Sequence, residues 1–440
     1  MTSFNKKFSI PHWDNYKDDH IFYRLFKNST QEYKNEVRDI YFGGEFHYEY
    51  GGQQKTYGDV MGVSPSPVQL DNLFKIQDEF GTEISLTLNT LDMGKELASD
   101  AGIINQMLKF IRGYYARGLR VCTISSTHLM RTGALQEAFP EMNWKNTVNH
   151  LVKSTQEVYD YAALGYTTIL LDRSLNRDID LLKEVRKETK KLNIETSLLA
   201  SESCMPSCPF KQEHDLWQAP LQQSESNYWK TFPTTCTRWR TPYAEQLPRL
   251  GVNISMATKA IVDDFSENVD VFKFSGRLGE SFKIDTAGRM CWTGIERGRR
   301  KIDLESGQLT DAFEYADSFQ EIYDKGLAPY LVDRWAPQGW TNLEQTQQHS
   351  AEDITSIWNT KKGQGLSKIL SKCKNRCWDC HACEKVFGVE PFDSTLSLDS
   401  NNEMVQISSR NELVHTLLHI ERQARIPVNH SGATDVHPQS

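Results

Sequence analysis

The sequence predicts an α/β fold, a TIM-like (β/α) barrel followed by a Cys-rich C-terminal extension. Three observations carry this. Short, mostly apolar runs alternate in series with segments of helical period, as parallel strands buried on both faces and their crossover helices do. At least five such units follow one another, which suits a barrel better than an open sheet. The rhythm then breaks twice, over residues 201–248 and after 335, where the chain turns polar and carries most of its cysteines.

Residues 1–36 are polar and irregular apart from a short helix at 20–26. The first strand is read at 37–42; it runs into Gly43-Gly44, then Glu45-Phe46-His47 and Gly51-Gly52. Glycines directly after a strand mark a backbone turn that another segment approaches closely. A helix at 67–80, a strand at 83–88 ending in Asn89, a helix at 101–118 and a strand at 120–124 ending in Ser125-Ser126 follow. A long amphipathic helix is expected over 144–164, with Val148, Leu151, Val158 and Ala162 on one face and Gly165 behind it. Next come a strand at 167–171, a helix at 175–192 and a strand at 194–200. After the polar loop, strands resume at 252–256 and 269–274, and helices are expected at 311–331 and 411–425. The expected division is 1–36 as an N-terminal segment, 37–335 as the barrel, 336–428 as the Cys-rich extension and 429–440 as a disordered tail.

A net charge of −8 gives no broad basic surface for nucleic acid. The basic run 183–191 reads as the solvated face of a helix. No stretch reaches the ~20 apolar residues that cross a bilayer. The polar first residues have no apolar core of a secretory signal, so a cytoplasmic protein with no membrane association is expected. No Gly-x-Gly-x-x-Gly follows the first strand. A phosphate loop, a Gly-x-Ser-x-Gly elbow and a His-Glu-x-x-His helix are also missing, so nucleotide-binding, serine-hydrolase and zinc-peptidase readings lack support.

Nine cysteines in a reducing compartment point to metal rather than disulfides. Cys373, Cys377, Cys380 and Cys383 fall within eleven residues, and thiolates so close repel one another without a cation. The spacing suits an iron–sulfur cluster; structural zinc is the alternative, although the loop that separates zinc knuckles is missing. Cys373-x-x-x-Cys377-x-x-Cys380 also matches the triad of radical S-adenosylmethionine enzymes, but it follows the barrel instead of its first strand. Cys204 and Cys208, the latter followed by Pro209, stand just past the strand at 194–200, and Cys236 is a third candidate ligand on the same loop. Cys122, inside an apolar strand, reads as core packing.

Residues 269–277, Val-Asp-Val-Phe-Lys-Phe-Ser-Gly-Arg, resemble the Gly-Val-Asp-x-x-Lys-Ile-x-Gly-Arg strand of the U-thirty-two peptidase-like family. The loop from Glu202 to His214 is similar to a Cys-x-x-x-Cys-Pro loop in branches of that family, and the C-terminal Cys-rich element also resembles theirs. The resemblance covers about 37–277 and the short C-terminal element. It implies a barrel holding one or two [4Fe-4S] clusters, with Cys204, Cys208 and Cys236 as ligands. It implies an oxygen-independent hydroxylation or related redox modification more than proteolysis. The chain departs from the family in the spacing of its first cysteine pair, in Ser275, and in having no fourth cysteine between Cys236 and Lys273. Cys291 or the C-terminal group would have to complete the set.

Strand ends supply further polar candidates: Glu45, His47, Asn89, Ser125, Ser126, Asp172, Arg173 and Asn176. Lys273 and Arg277, with Asp172 and Arg173, form the expected substrate-binding group, since paired basic residues suit a carboxylate. His214 is left without a role. The expected partners are a small anionic substrate or a macromolecule undergoing modification, with room for a protein partner. The main alternative is a zinc-stabilised binding or assembly protein; a radical S-adenosylmethionine enzyme is the second.

Overall fold

The computed structural model describes residues 8–12, 19–59, 64–91, 93–199, 211–212 and 267–273, together with several short strands and single residues further on. Eight parallel strands close into a barrel: β1 (Phe8–Pro11), β2 (Val37–Gly43), β5 (Glu83–Leu88), β6 (Val121–Ile124), β7 (Asn143–Lys145), β8 (Thr168–Leu170), β9 (Glu195–Leu199) and β10 (Val271–Lys273). Between β2 and β5 stands a hairpin, β3 (Glu45–Tyr50) and β4 (Gln53–Gly58), turning on Gly51 and Gly52. Both glycines have positive φ, 61° and 73°, as a two-residue hairpin turn of this hand requires.

Helices α1 (Ile21–Asn28), α2 (Gln31–Glu36), α3 (Pro67–Phe80), α4 (Glu96–Ser99), α5 (Ala101–Tyr115), α6 (Thr127–Arg131), α7 (Ala134–Ala138), α8 (Thr155–Ala163) and α9 (Ile179–Leu192) lie among the crossovers. Their ends follow local chemistry. Ser66 and Gln69 form a reciprocal capping box at the start of α3, with Pro67 in the first turn, and Gly81 ends that helix at φ 68°. The outer faces of the strands (Ile40, Phe42, Ile84, Leu86, Cys122, Ile124, Trp144, Ile169, Leu198 and Phe272) form one apolar core. No helix among the described residues is long and apolar enough to cross a membrane.

Most elements fall within a few residues of where the sequence put them, and three differ. Phe8–Pro11, in the segment expected to be irregular, is a barrel strand that pairs with β2 on one side and β10 on the other. The single helix expected over 144–164 does not form. Residues 143–145 are strand β7, and Leu151 adopts φ 57°, a left-handed conformation that no helix continues through. The helix starts only after Ser154, whose hydroxyl accepts from Glu157 N–H. Third, Glu314–Ala316 is a strand of a small antiparallel sheet with Met290–Trp292 and Phe282–Ile284, where a helix was expected to begin. The remainder of 311–331, the strand at 252–256, the helix at 411–425 and the tail at 429–440 lie outside the described residues.

Candidate functional site

The inner face of the barrel is polar. Strand register carries inward positions from strand to strand: Ser9 pairs with Asp39 and Lys273, Tyr41 with Ser85, Thr87 with Thr123, and Thr123 with Lys145. Residues of the opposite parity on these strands belong to the outer apolar core. Barrels of this class usually fill their interior with Val, Ile and Leu. Here three hydroxyls, on Ser85, Thr87 and Thr123, are buried with no hydrogen-bond partner among the described residues. Buried polar atoms normally find partners, so these three mark the interior as a place built for polar contact.

Four charged groups organise that interior. Lys145 on β7 reaches across to ion-pair with Asp39 on β2, and Asp39 is completely buried. The other Asp39 oxygen accepts from Ser9 Oγ at 2.6 Å. Burial alone would push the Asp39 carboxyl up; Lys145 and Arg38 outweigh it and hold the group below its ordinary value. Lys273, the last residue of β10, is also buried, with Nζ 4.0 Å from the centre of the Tyr41 ring. Desolvation, reinforced by the charge of Lys145 and opposed by Asp39, pushes its amine down to about 7. The fourth group, Arg38, lies at the N-terminal end of the barrel, where it bridges Glu83 of β5 and Glu195 of β9. That bridge spans non-neighbouring strands and braces the lower end.

The C-terminal rim is largely occupied by structural bonds. Tyr57 at the end of β4 donates to Leu88 O at 3.0 Å, and its oxygen accepts from the backbone N–H groups of Ser125 and Ser126. Ser125 Oγ donates to Thr90 O at 2.5 Å, and Ser126 caps α6 (Thr127–Arg131). His150 is largely buried against Tyr161 and Tyr166, with Nε2 2.8 Å from Ser125 O. A carbonyl can only accept, so Nε2 carries the proton and Nδ1 keeps its lone pair. Burial pushes this imidazole down to about 4.

The predicted site residues divide. Lys273 lies in the interior. Asp172 caps the short turn Arg173–Arg177 by accepting from Ser174 N–H, and buried Arg173 donates to Asn149 Oδ1 at 3.3 Å on the rim. Glu45 and His47 pair at 3.4 Å on the outer hairpin, where His47 is exposed. Cys122 faces the apolar core, where burial raises its thiol pKa. Cys380 is exposed, with its N–H bonded to Arg376 O at 2.9 Å. Arg277, His214, Cys204, Cys208, Cys236, Cys373, Cys377 and Cys383, and the side chains of Asn176 and Cys291, lie outside the described residues. No cluster of three or more metal-ligating side chains occurs among the described residues.

Asp39, Lys145 and His150 were not anticipated. Asp39 had a signal, a carboxylate within the apolar run of β2, flanked by Arg38 and Ile40. Lys145 had none once 144–164 was read as one helix.

This interior defines the chain as a parallel (β/α) barrel with a charged, hydroxyl-lined core. No protein-family model matches the sequence, and no curated protein matches it. Among solved structures, the chain is similar to a U32 peptidase at 11% identity and a TM-score of 0.41, over 63% of this chain and 95% of that one. It is also similar to the carboxyl transferase domain of Rhizobium etli pyruvate carboxylase, solved with pyruvate and biocytin. There the identity is 8% and the TM-score 0.30, over 95% of this chain and 61% of the other. At these values neither likeness bears on function, and the fold rests on the barrel's own strand pairing.

Proposed function

We propose that the chain is an iron–sulfur enzyme that modifies an anionic substrate at the C-terminal mouth of the barrel, by oxygen-independent hydroxylation or a related redox reaction. One contact carries the reading. Lys374, beside Cys373, ion-pairs with Asp178 and, at 3.3 Å, with Asp180, at the N-terminal start of α9. In a βα unit the helix that follows a strand begins on the face where that strand ends. The contact therefore puts Lys374 on the face from which β9 exits at Leu199, a residue five positions before Cys204 in sequence. The reading takes both cysteine groups, far apart in sequence, to serve that one face.

The donor set suits the cluster. Cys380 N–H bonds to Arg376 O, an i-to-i−4 bond, and four cysteines within eleven residues are spaced closely enough in sequence to share a cation. Cys204, Cys208 and Cys236, with a fourth thiolate from Cys291 or the C-terminal group, would hold one cluster. Cys373, Cys377, Cys380 and Cys383 would complete it or hold a second. When bound, such a cluster supplies one-electron chemistry or a Lewis-acidic iron. Arg277 and Arg173 are the permanently charged groups for an anionic substrate.

The test is metal analysis of protein purified without oxygen. Iron with acid-labile sulfide and visible cluster absorbance, lost on replacing Cys377 and Cys380 with serine, supports the reading. Zinc alone would turn it into the zinc-stabilised docking module. Neither metal would overturn both. Cleavage of S-adenosylmethionine that vanishes in Cys377→Ala would favour the radical reading instead.

A further inference from the structure

We propose that Lys273 is a carbonyl-capturing amine, the centre of a site in the barrel interior where a small aldehyde or ketone condenses with its ε-amino group. The inference needs no cluster and stands whether or not the cysteines hold metal.

Position is the first argument. Lys273 is the last residue of β10, paired with Leu199 at the end of β9, and its register with Ser9 turns it inward. The second argument is the distribution of charge. Asp39 is the carboxylate that bears on Lys273, and its two oxygens are engaged by Lys145 and Ser9. Among the described residues Lys273 faces the Tyr41 ring, a weaker partner for an ammonium than a carboxylate. Among the described residues, His12, just past β1, packs on the ring of Phe22 at 4.9 Å, and Glu195, at the start of β9, is held by Arg38 at the far end of the barrel. The third argument is the lining. Ser85, Thr87 and Thr123 offer three buried hydroxyls on the strands between Tyr41 and Lys145. They suit a polar ligand better than an apolar one.

The chemistry balances without a further reactant. The amine lone pair attacks the carbonyl carbon, and the carbonyl oxygen takes up a proton to give a carbinolamine. Loss of the nitrogen proton and departure of the hydroxyl as water leave a carbon–nitrogen double bond. Lys145, an ammonium held by Asp39, is the described acid that can lend the proton to oxygen and recover one. An amine pushed down to about 7 is substantially free base at neutral pH, whereas an ordinary lysine is almost wholly protonated.

The experiment traps the imine. Full-length protein is incubated at neutral pH with glyoxylate and sodium cyanoborohydride, and each lysine is assayed by peptide mass spectrometry for a gained carboxymethyl group. Lys273 should label at least ~10-fold faster than exposed lysines such as Lys75, because its free-amine fraction is so much larger. The rate should titrate with a midpoint near 7. Unfolding in urea should abolish the advantage. Lys145→Met, checked for folding by circular dichroism, should shift the midpoint upward, since it removes a repelling charge and frees Asp39. If Lys273 stays unlabelled while Lys75 reacts, or labels at the same rate in urea as in the folded chain, the proposal fails. An unchanged midpoint in folded Lys145→Met would remove the ion pair from it.

Discussion

Asp39 and Lys145 stand 106 positions apart and meet inside the barrel, from β2 to β7. Removing either leaves charge buried, but the two removals are not equivalent. Asp39→Asn strands Lys145 and Lys273 together without a carboxylate, and should cost about 3–5 kcal/mol. Lys145→Met leaves Asp39 with Arg38, Ser9 and a nearby Lys273 that loses a repelling neighbour. It should cost clearly less. Urea denaturation of both variants at neutral pH gives the comparison; equal losses would mean that Lys273 does not take part in the charge balance of Asp39.

Lys273 makes the folded state sensitive to pH in a defined direction. Its amine is lowered from 10.5 to about 7 on folding, so between those values the unfolded chain binds the extra proton. Stability attributable to this residue therefore rises with pH across the window, and the penalty is complete below about 7. Lys273→Met should raise the melting temperature at neutral pH, and the gain should shrink as pH approaches 10.5. Thermal melts across that range read this directly. A gain that stays constant with pH would show that burial of the charge is not what the substitution relieves.

The barrel was legible because its signals are local. Apolar runs at 37–42, 83–88 and 194–200 sit on strands within a residue or two. What failed was short or non-local. Phe8–Pro11 spans four residues and is a strand only because β2 and β10 flank it. Trp144 and Lys145 lie ahead of residues that mimic a helical period, and the break depends on the backbone of Leu151 and the cap at Ser154. The interior charges were harder still. Asp39 stood out of an apolar strand, yet nothing in the sequence says that Lys145 and Lys273 share its chamber. That follows only from closure and register. The cysteine spacings remain the clearest chemical signal in the chain, and Lys374, next to Cys373 in sequence, meets Asp178 at the start of α9.

His150 should make the protein acid-sensitive above the carboxylate range. Its imidazole falls from 6.5 to about 4 on folding, through burial against Tyr161 and Tyr166, despite the hydrogen bond to Ser125 O. Between these values the unfolded state binds the extra proton, so stability falls as pH falls through the window and its loss is complete below about 4. His150→Phe keeps the aromatic packing and removes the titration. It should be less stable at neutral pH by about 1 kcal/mol, for the lost hydrogen bond. Its stability should decline less steeply between 6.5 and 4, and equal slopes for the two proteins would exclude His150 as the source.

The hairpin of β3 and β4 is fastened to the barrel through two glycines, and they should not tolerate alanine equally. A Cβ on Gly58 would lie 2.6 Å from Gly44 O and 3.2 Å from Glu45 Cα, both backbone atoms that cannot turn aside. A Cβ on Gly44 would meet Leu86 Cδ1 at 2.5 Å, the tip of a side chain that can rotate. Gly58 O also accepts from both Thr90 N–H and Thr90 Oγ1, so movement there loosens the anchor of the rim. Thr90 O in turn holds Ser125, which Tyr57 and His150 share. Gly58→Ala should cost about 1–3 kcal/mol by overpacking, and Gly44→Ala less. The larger loss should come with a change in near-ultraviolet circular dichroism from the displaced Tyr57 ring. A greater loss in Gly44→Ala would show that the Leu86 core, not the backbone contact, limits how closely the hairpin approaches.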